Sequence, residues 1–265
     1  LLADFYRQYE ARLSTQWLVE HLAIAIDEYE TVWMNPQTHL FADLGLNRYF
    51  DEGQGRPKET EPGHFKMEIQ KYAGRLGISV EEYERGYDAG EISEPELARY
   101  FVHDRAMRES GHDTSERLDA VCADLACVDL NAILYDVERK ISALIDDYFP
   151  HGFRHNGREY SGSEWYEKAQ ARYDLVQQYL WNEEAGCFYD YNVRRGRPQA
   201  FASATNLYPL WAGLCEPEQA EKLVREQLPK LMCAGGIAST APLPAHGNGP
   251  ERQWDYPYGW APHQI

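Results

Sequence analysis

Residues 105–144 begin Arg-Ala-Met-Arg-Glu-Ser-Gly-His-Asp-Thr-Ser-Glu-Arg-Leu and decide the predicted fold. From residue 118 onward, apolar residues recur at steps of three and four, which is the spacing of one face of an α-helix. The pattern predicts one long amphipathic helix that begins near Asp113. The apolar positions that support it are Leu118, Val121, Cys122, Leu125, Val128, Ile133, Leu134, Val137, Ile141 and Leu144.

The start of this helix has residues typical of a helix N-terminus. Ser110-Gly111 interrupts any preceding helix, and Asp113 or Thr114 can cap the next one. Glu116 follows Asp113 at the spacing of a capping box. On the local pattern alone Asp113 is therefore an N-cap, because most aspartates at helix starts do nothing more.

Helical patterns also follow one another along most of the remaining chain. Ser79 with Glu82, and Ser93 with Glu96, have capping-box spacing and predict two helix starts. Residues 187–193 alternate as a strand does and predict half of a small hairpin. We expect an all-α domain with at most that small β-hairpin. The other predicted helices cover residues 14–33, 64–76, 163–181, 200–214 and 217–231, and residues 150–163 are expected to form a polar loop.

The composition limits the classes of partner. The chain has 265 residues, 43% of them hydrophobic, enough for a sizeable core. A formal net charge of −17 argues against nucleic acid or an anionic membrane, because no basic patch can neutralise phosphates. The longest apolar run, residues 22–26, is far too short to span a membrane. The five cysteines form no Cys-x-x-Cys pair, so we expect reduced thiols in a cytoplasmic protein.

Two motifs resemble those of one enzyme family. Residues 108–113 read Arg-Glu-Ser-Gly-His-Asp, and residues 124–135 read Asp-Leu-Ala-Cys-Val-Asp-Leu-Asn-Ala-Ile-Leu-Tyr. Residues 252–262 read Arg-Gln-Trp-Asp-Tyr-Pro-Tyr-Gly-Trp-Ala-Pro. In this order they resemble the central segment and the Gln-Trp-Asp-x-Pro-x-Gly-Trp-Ala-Pro signature of trehalases, inverting enzymes of glycoside hydrolase family 37. The likeness is greatest for the neutral, cytosolic trehalases known from fungi.

The resemblance implies a fold and an activity. Trehalases are (α/α)6 barrels, two concentric rings of helices with the site at one end, and we expect that barrel to be incomplete in this chain. The implied reaction is the inverting hydrolysis of α,α-trehalose to two glucose molecules in the cytoplasm. Another (α/α)6 α-glucoside hydrolase and a non-catalytic sugar-binding relative are the alternatives.

The resemblance also sets expectations about the extent of the domain. Residues 1–265 match the central part of one catalytic domain, without its N-terminal and C-terminal portions. The family's Pro-Gly-Gly-Arg-Phe block and its glutamate base are not in the chain. We therefore expect the chain alone to be inactive.

By the resemblance, Asp113 is the general acid, which competes with its interpretation as an N-cap. A sugar site also needs hydrogen-bonding groups for hydroxyls and aromatic faces for the apolar side of the ring. Alternatives stay open for several residues: an ion pair for Arg108, a solvated charge for Glu59 and core packing for the tryptophans. The expected sugar contacts are Glu59, Arg108, Gly111, Gln253, Trp254 and Trp260.

Trehalose is the expected partner, and the resemblance implies no cofactor in this segment. His103 and Asp104 are adjacent candidates for metal ligands, but no second pair lies at ligand spacing. A satisfied or exposed histidine is the better interpretation, so no metal ligand is predicted. Regulatory partners of the full-length protein are compatible with the family, although no residue here indicates one.

Overall fold

The computed structural model describes residues 2–58, 60–243 and 252–264. It is mostly helical, with 52% of residues in helices. No helix in these ranges is long and apolar enough to cross a membrane. The α-helices are α1 (Leu2–Tyr9), α2 (Thr15–Glu28), α3 (Lys66–Leu76), α4 (Val80–Asp88), α5 (Pro95–Glu109), α6 (Val128–Tyr148), α7 (Gly162–Tyr179), α8 (Tyr208–Trp211), α9 (Pro217–Lys222) and α10 (Leu228–Leu231).

Several helices continue in turns of other types. Helix α2 passes directly into a π-helical turn at Tyr29–Trp33, and a second π-helical turn at Leu223–Gln227 joins α9 to α10. Short 3-10 helices occupy Cys122–Asp124, Ala204–Leu207 and Ala261–Gln264. The predicted helices at residues 14–33 and 217–231 are therefore confirmed as continuous helical segments of mixed type.

Short antiparallel strands form five small sheets among the described residues. One sheet has three strands, in the order β3-β8-β9, and pairs Leu125 with Asn192. The other four sheets are the pairs β1-β2, β4-β5, β6-β7 and β10-β11. The strands are β1 (Leu40–Phe41), β2 (Leu46–Asn47), β3 (Leu125–Ala126), β4 (Phe153–His155), β5 (Arg158–Tyr160), β6 (Trp181–Asn182), β7 (Cys187–Phe188), β8 (Asp190–Asn192), β9 (Arg197–Gln199), β10 (Met232–Cys233) and β11 (Gly236–Ile237).

Helices α6 and α7 pack against each other at the centre of the fold. A buried ion pair joins them, with Arg172 Nε 2.8 Å from Glu138 Oε1. The Tyr29 hydroxyl, at the end of α2, donates to the same oxygen at 2.7 Å. Because removing one partner of a buried pair leaves an uncompensated charge, this contact fixes the relative positions of all three helices.

Helices α3, α4 and α5 enclose a second, smaller core of their own. It consists of Phe65, Ile69, Tyr72, Ala73, Tyr83, Leu97 and Phe101. Helix α5 also contributes Ala106 and Met107 to the large core around α2 and α6. It therefore joins the two cores, with Leu97 and Phe101 in the small core and Ala106 and Met107 in the large one.

The prediction of one long helix from Asp113 is wrong. Helix α6 begins at Val128, and residues 116–126 form turns, a 3-10 helix and strand β3. Arg117 is buried and donates to Asp129 Oδ1 at 3.0 Å and to Asp190 Oδ1 at 2.7 Å. In a continuous helix Arg117 and Asp129 would lie about 18 Å apart, too far for this pair. The chain therefore turns, and Leu118 and Leu125 are buried along the turns.

Other predicted elements also need correction. Helix α5 is capped by Glu94 and not by Ser93, whereas the Ser79–Glu82 capping box of α4 is confirmed. Residues 150–163 contain the hairpin β4-β5, so the expectation of at most one hairpin is wrong. The helix predicted at residues 200–214 is reduced to a 3-10 turn and the four-residue α8. Two- and three-residue strands are too short to show an alternating pattern.

Candidate active site

A cleft of about 580 Å³ opens beside the C-terminal end of α5. Three segments form its walls: the loop before α3, residues 108–114 and the loop at residues 252–258. Both sequence motifs therefore meet at one concave surface. The lining residues are Thr60, Glu61, His64, Arg108, Asp113, Thr114, Arg252, Gln253 and Tyr258.

Arg108 lies in the last turn of α5 and projects into this cleft. Its Nε donates to Asp104 Oδ2 at 2.8 Å, one turn earlier on the same helix. Asp104 is 2% exposed, so this pair is well shielded from water. The ion pair that the sequence left open for Arg108 is thus present, with Asp104 as its partner. Arg108 also lines the cleft.

Asp113 follows α5 in a loop and caps no helix, so its interpretation as an N-cap is wrong. Its side chain is 41% exposed and lines the cleft. Asp113 Oδ2 lies 3.7 Å from Arg108 Nη1. The carboxyl group is therefore accessible to a ligand and faces a cationic group.

The loop after Asp113 is tied to the second motif. Trp254 N donates to Thr114 O at 3.0 Å. Asp255 accepts hydrogen bonds from Ser115 Oγ at 2.8 Å and from Glu116 N at 2.9 Å. Asp255 is buried, and burial raises its pKa above the usual range despite these hydrogen bonds. Asp255 therefore accepts the hydrogen bond from Glu116 N that Asp113 would have accepted as an N-cap.

The backbone conformation at Gly111 and the nearby Trp260 ring both disfavour a side chain at this position. The φ of Gly111 is +77°, and an added Cβ would lie 3.2 Å from Trp260 Cζ2. The Trp260 ring also packs on His112, with the ring centres 4.5 Å apart, and on Trp254 at 6.0 Å. Neither tryptophan is among the lining residues, which favours packing behind the cleft wall.

Among the described lining residues, Tyr258 is the one Phe, Tyr or Trp side chain that can supply the aromatic face expected of a sugar site. Gln253, one of the expected sugar contacts, is a lining residue of the cleft. Glu59 lies outside the described residues. Its neighbour Lys58 lines a second cavity of about 550 Å³, which shares Arg108 with the cleft.

Several lining residues were not predicted from the sequence. Arg252 and Tyr258 lie inside the second motif, so their position in the motif was an available signal. Arg252 pairs with Asp119, with 2.7 Å between Nη2 and Oδ2. Glu61 and His64 lie in an irregular loop, where no periodic pattern indicates which side chains face inward.

A buried network of charged side chains begins at Arg117, four residues after Asp113. Arg117 donates to both carboxylates, Asp129 and Asp190, and Asp190 Oδ1 also accepts from Val128 N at 2.8 Å. Burial opposes ionisation of Asp129, but Arg117 outweighs it and lowers the pKa of Asp129 to about 2. Cys127, Asp129 and Asp190 are the one group of possible metal ligands within the described residues. Because Arg117 occupies both carboxylates, we interpret the group as an ion pair.

The family model for trehalases matches residues 1–265. The chain belongs to the trehalase family. The resemblance seen in the two motifs is thereby confirmed across the whole chain.

Fungal neutral trehalases are among the similar proteins. The chain is 45% identical to the probable trehalase of Eremothecium gossypii over 246 residues, which is 91% of this chain and 33% of that protein. It is 42% identical to the cytosolic neutral trehalase of Saccharomyces cerevisiae, over 91% of this chain and 33% of that protein. For the cytosolic neutral trehalase of Beauveria bassiana the identity is 43%, over 94% and 35%. The chain thus spans about a third of the length of these relatives.

The fold is similar to a solved trehalase. The neutral trehalase Nth1 from Saccharomyces cerevisiae matches with a TM-score of 0.82 and 40% identity. The match covers 91% of this chain and 45% of the Nth1 chain. The arrangement of helices and short sheets described above is therefore a trehalase-family arrangement.

Proposed function

We propose that the protein hydrolyses α,α-trehalose to two glucose molecules and that the cleft beside α5 is part of its active site. The observation that supports this most is that Asp113 and Arg108 from one family motif meet Gln253 from the other in a single cleft. The cleft is rich in hydrogen-bonding groups, as a site for a polyhydroxylated ligand requires.

Asp113 is proposed as the general acid. Glycoside hydrolysis needs an acid that protonates the leaving oxygen, and an inverting enzyme has a second carboxylate roughly 6.5–9.5 Å away that activates water. The accessible carboxyl of Asp113 suits the first role. We expect the base to be a glutamate outside residues 1–265. This chemistry uses carboxyl groups and water and needs no cofactor.

The residues proposed to contact the sugar are supported by different observations. Arg108 and Gln253 line it and can donate hydrogen bonds to hydroxyls. Gly111 allows close approach of the backbone because it has no side chain, and Trp254 with Trp260 supports the wall. Glu59 is proposed from its motif position alone.

The domain and its setting are proposed from the same likeness. We infer that residues 1–265 are the central part of one catalytic domain with an (α/α)6 barrel. Coverage of about a third of the curated relatives supports this. The cytosol is the proposed location, since relatives at 42–43% identity are named cytosolic.

The test is the stereochemistry of trehalose cleavage, followed by proton NMR during the first turnovers. Inversion at one anomeric carbon releases one α-glucose and one β-glucose, whereas retention releases two α-glucose molecules. Because the chain spans a third of its relatives, both the chain and a full-length protein that contains it are assayed. Maltose serves as the comparison substrate. Cleavage of maltose in preference to trehalose would favour another α-glucosidase, and trehalose binding without turnover in the full-length protein would favour a sugar-binding relative.

A further inference from the structure

The guanidinium of Arg108 is held from two directions. Helix α5 itself supplies Asp104, which accepts from Nε at 2.8 Å. His64 comes from the loop before α3, and its Nε2 lies 3.2 Å from Arg108 Nη2. The remaining nitrogen, Nη1, lies on the side of Asp113. Nη2 also donates to Asp104 Oδ1, at 3.5 Å, so His64 adds a shorter contact to a nitrogen that Asp104 already binds.

This contact determines the protonation state of His64. A guanidinium has only N–H donors, so His64 Nε2 must accept the hydrogen bond. The imidazole is then neutral and carries its hydrogen on Nδ1. A protonated ring has N–H donors on both nitrogens and a positive charge, so it cannot accept from Arg108 and would repel it.

Charged groups of both signs surround His64. Arg108 and Arg252 disfavour a second positive charge, whereas Asp104 and Glu61 favour it. His64 is exposed at the surface, and partial burial of its ring, followed by the charge of Arg108, lowers the pKa of His64 below its ordinary value of 6.5. The neutral form that the geometry requires is therefore the main form at neutral pH.

We propose that His64 is a positioning residue for the sugar: together with Asp104, its neutral Nδ1–H tautomer holds Arg108 with Nη1 turned toward the bound ligand, and protonation removes the His64 contact. This inference rests on the proposed function, because the sugar contact of Arg108 is itself proposed. Binding requires the neutral ring, so affinity is full above the pKa of His64. It falls as the pH drops through that pKa, which lies below 6.5.

The tautomer can be tested without any turnover. In the nitrogen-15-labelled chain near neutral pH, long-range proton–nitrogen spectra should show a protonated Nδ1 and an unprotonated Nε2 for His64. The signal is assigned by its loss in His64→Gln. A hydrogen on Nε2 would overturn the inference and would leave the proposed hydrolysis untouched.

The positioning role is tested by kinetics in the full-length protein. His64→Gln keeps an acceptor near the Nε2 position but does not titrate, so the acidic limb of kcat/KM should move to lower pH. His64→Leu removes the acceptor, and we expect KM for trehalose to rise about tenfold with a smaller change in kcat. His151→Gln is the matched control, since His151 is exposed and is not a lining residue of the cleft.

The outcomes separate the two proposals. If the unsubstituted protein cleaves trehalose and His64→Gln leaves the acidic limb in place, His64 does not position Arg108. An unchanged KM in His64→Leu, with circular dichroism like that of the parent, would overturn the inference as well. Absence of trehalose cleavage by the unsubstituted full-length protein would overturn the proposed function and this inference with it.

Discussion

The surroundings of Asp113 are those of a side chain that contacts a ligand and not those of a helix N-cap. It caps nothing, its side chain is 41% exposed, and its neighbours in the cleft are polar. Arg108 Nη1 lies 3.7 Å from this carboxyl group. The two side chains can therefore contact the same ligand.

The first prediction concerns Asp113→Asn in the full-length protein. The substitution keeps the shape of the side chain but removes the proton donor, so kcat for trehalose should fall by roughly 10²–10⁴-fold. KM should change little, because proton transfer occurs only in the transition state. Asp43→Asn, in the exposed turn between β1 and β2, is the control. A kcat within about tenfold of the parent would exclude the acid role, since that is only about 1.4 kcal/mol of barrier.

At this scale the sequence predicted some of the lining residues that belong to motifs, missed Arg252 and Tyr258 in the second motif, and missed the lining residues outside the motifs. Asp113, Arg108 and Gln253 could be predicted because they lie in the two quoted motifs. His64 and Glu61 could not, because they reach the cleft from a loop whose path depends on the packing of α3 against α5. Trp254 and Trp260 were predicted as sugar contacts from their place in the second motif. In the structure their rings contact each other, with 6.0 Å between the ring centres.

At the scale of elements, the start of a helix could be predicted where a capping motif and a periodic apolar pattern indicate the same position. The Ser79–Glu82 box marks the start of α4 correctly. The prediction of the long helix was wrong because the helix was extended back from the apolar stripe, which starts at Leu118, through Arg117 to Asp113. An arginine in such a stripe is usually solvated, and the sequence does not reveal that Asp190, far along the chain, binds it. Tertiary ion pairing overrode the local pattern.

Helix α5 is attached to the segment before α6 by a histidine that must stay neutral. His103 is buried, and its Nδ1 accepts a hydrogen bond from Ala123 N at 3.2 Å. Burial lowers the pKa of His103 from 6.5 to about 4, although Asp124 opposes this. The satisfied histidine expected from the sequence is thus what the structure contains. The residue holds the two segments together only in its unprotonated form.

The second prediction follows from this pKa. Because the unfolded chain takes up a proton near pH 6.5 and the folded chain does not until about pH 4, His103 makes stability fall as the pH drops between those values. From pH 7 to pH 5 the loss from this residue should be about 2 kcal/mol. His103→Asn keeps an acceptor near Nδ1 and removes the titration. Urea unfolding at the two pH values should therefore show a smaller pH-dependent loss in the variant. An equal loss in both proteins would contradict the assignment.

On the scale of the whole molecule, the sequence predicted the helical class and missed the short sheets. Buried ion pairs, Arg172 with Glu138 and Arg117 with Asp129 and Asp190, connect elements that are far apart in the chain. Such contacts fix how the helices meet, and no local pattern encodes them. Periodicity does not predict how the helices pack. The resemblance to the trehalase family does, because it spans residues 1–265 and relatives share their helix packing.

The two cores have different sizes and should differ in local stability. The large core includes buried residues of α2, α6 and α7, whereas α3 and α4 pack within the small core that α5 shares. Local opening is less costly where fewer apolar groups are buried. The small core also carries the loop with Thr60, Glu61 and His64, one wall of the cleft. Opening of α3 and α4 should therefore also disturb the cleft.

The last prediction combines these observations in a hydrogen-exchange experiment. Backbone amides of α3 and α4 should exchange faster than those of α6 and α7, because the small core can open while the α6–α7 pair stays closed. If the folded cleft binds trehalose as proposed and its opened form does not, adding trehalose should slow exchange at residues 60–76 and leave residues 134–145 unchanged. Maltose at the same concentration is the ligand control. Equal exchange in α3 and α6 would show that the two cores unfold together. Protection by trehalose confined to another region would mean that the sugar does not bind against this wall.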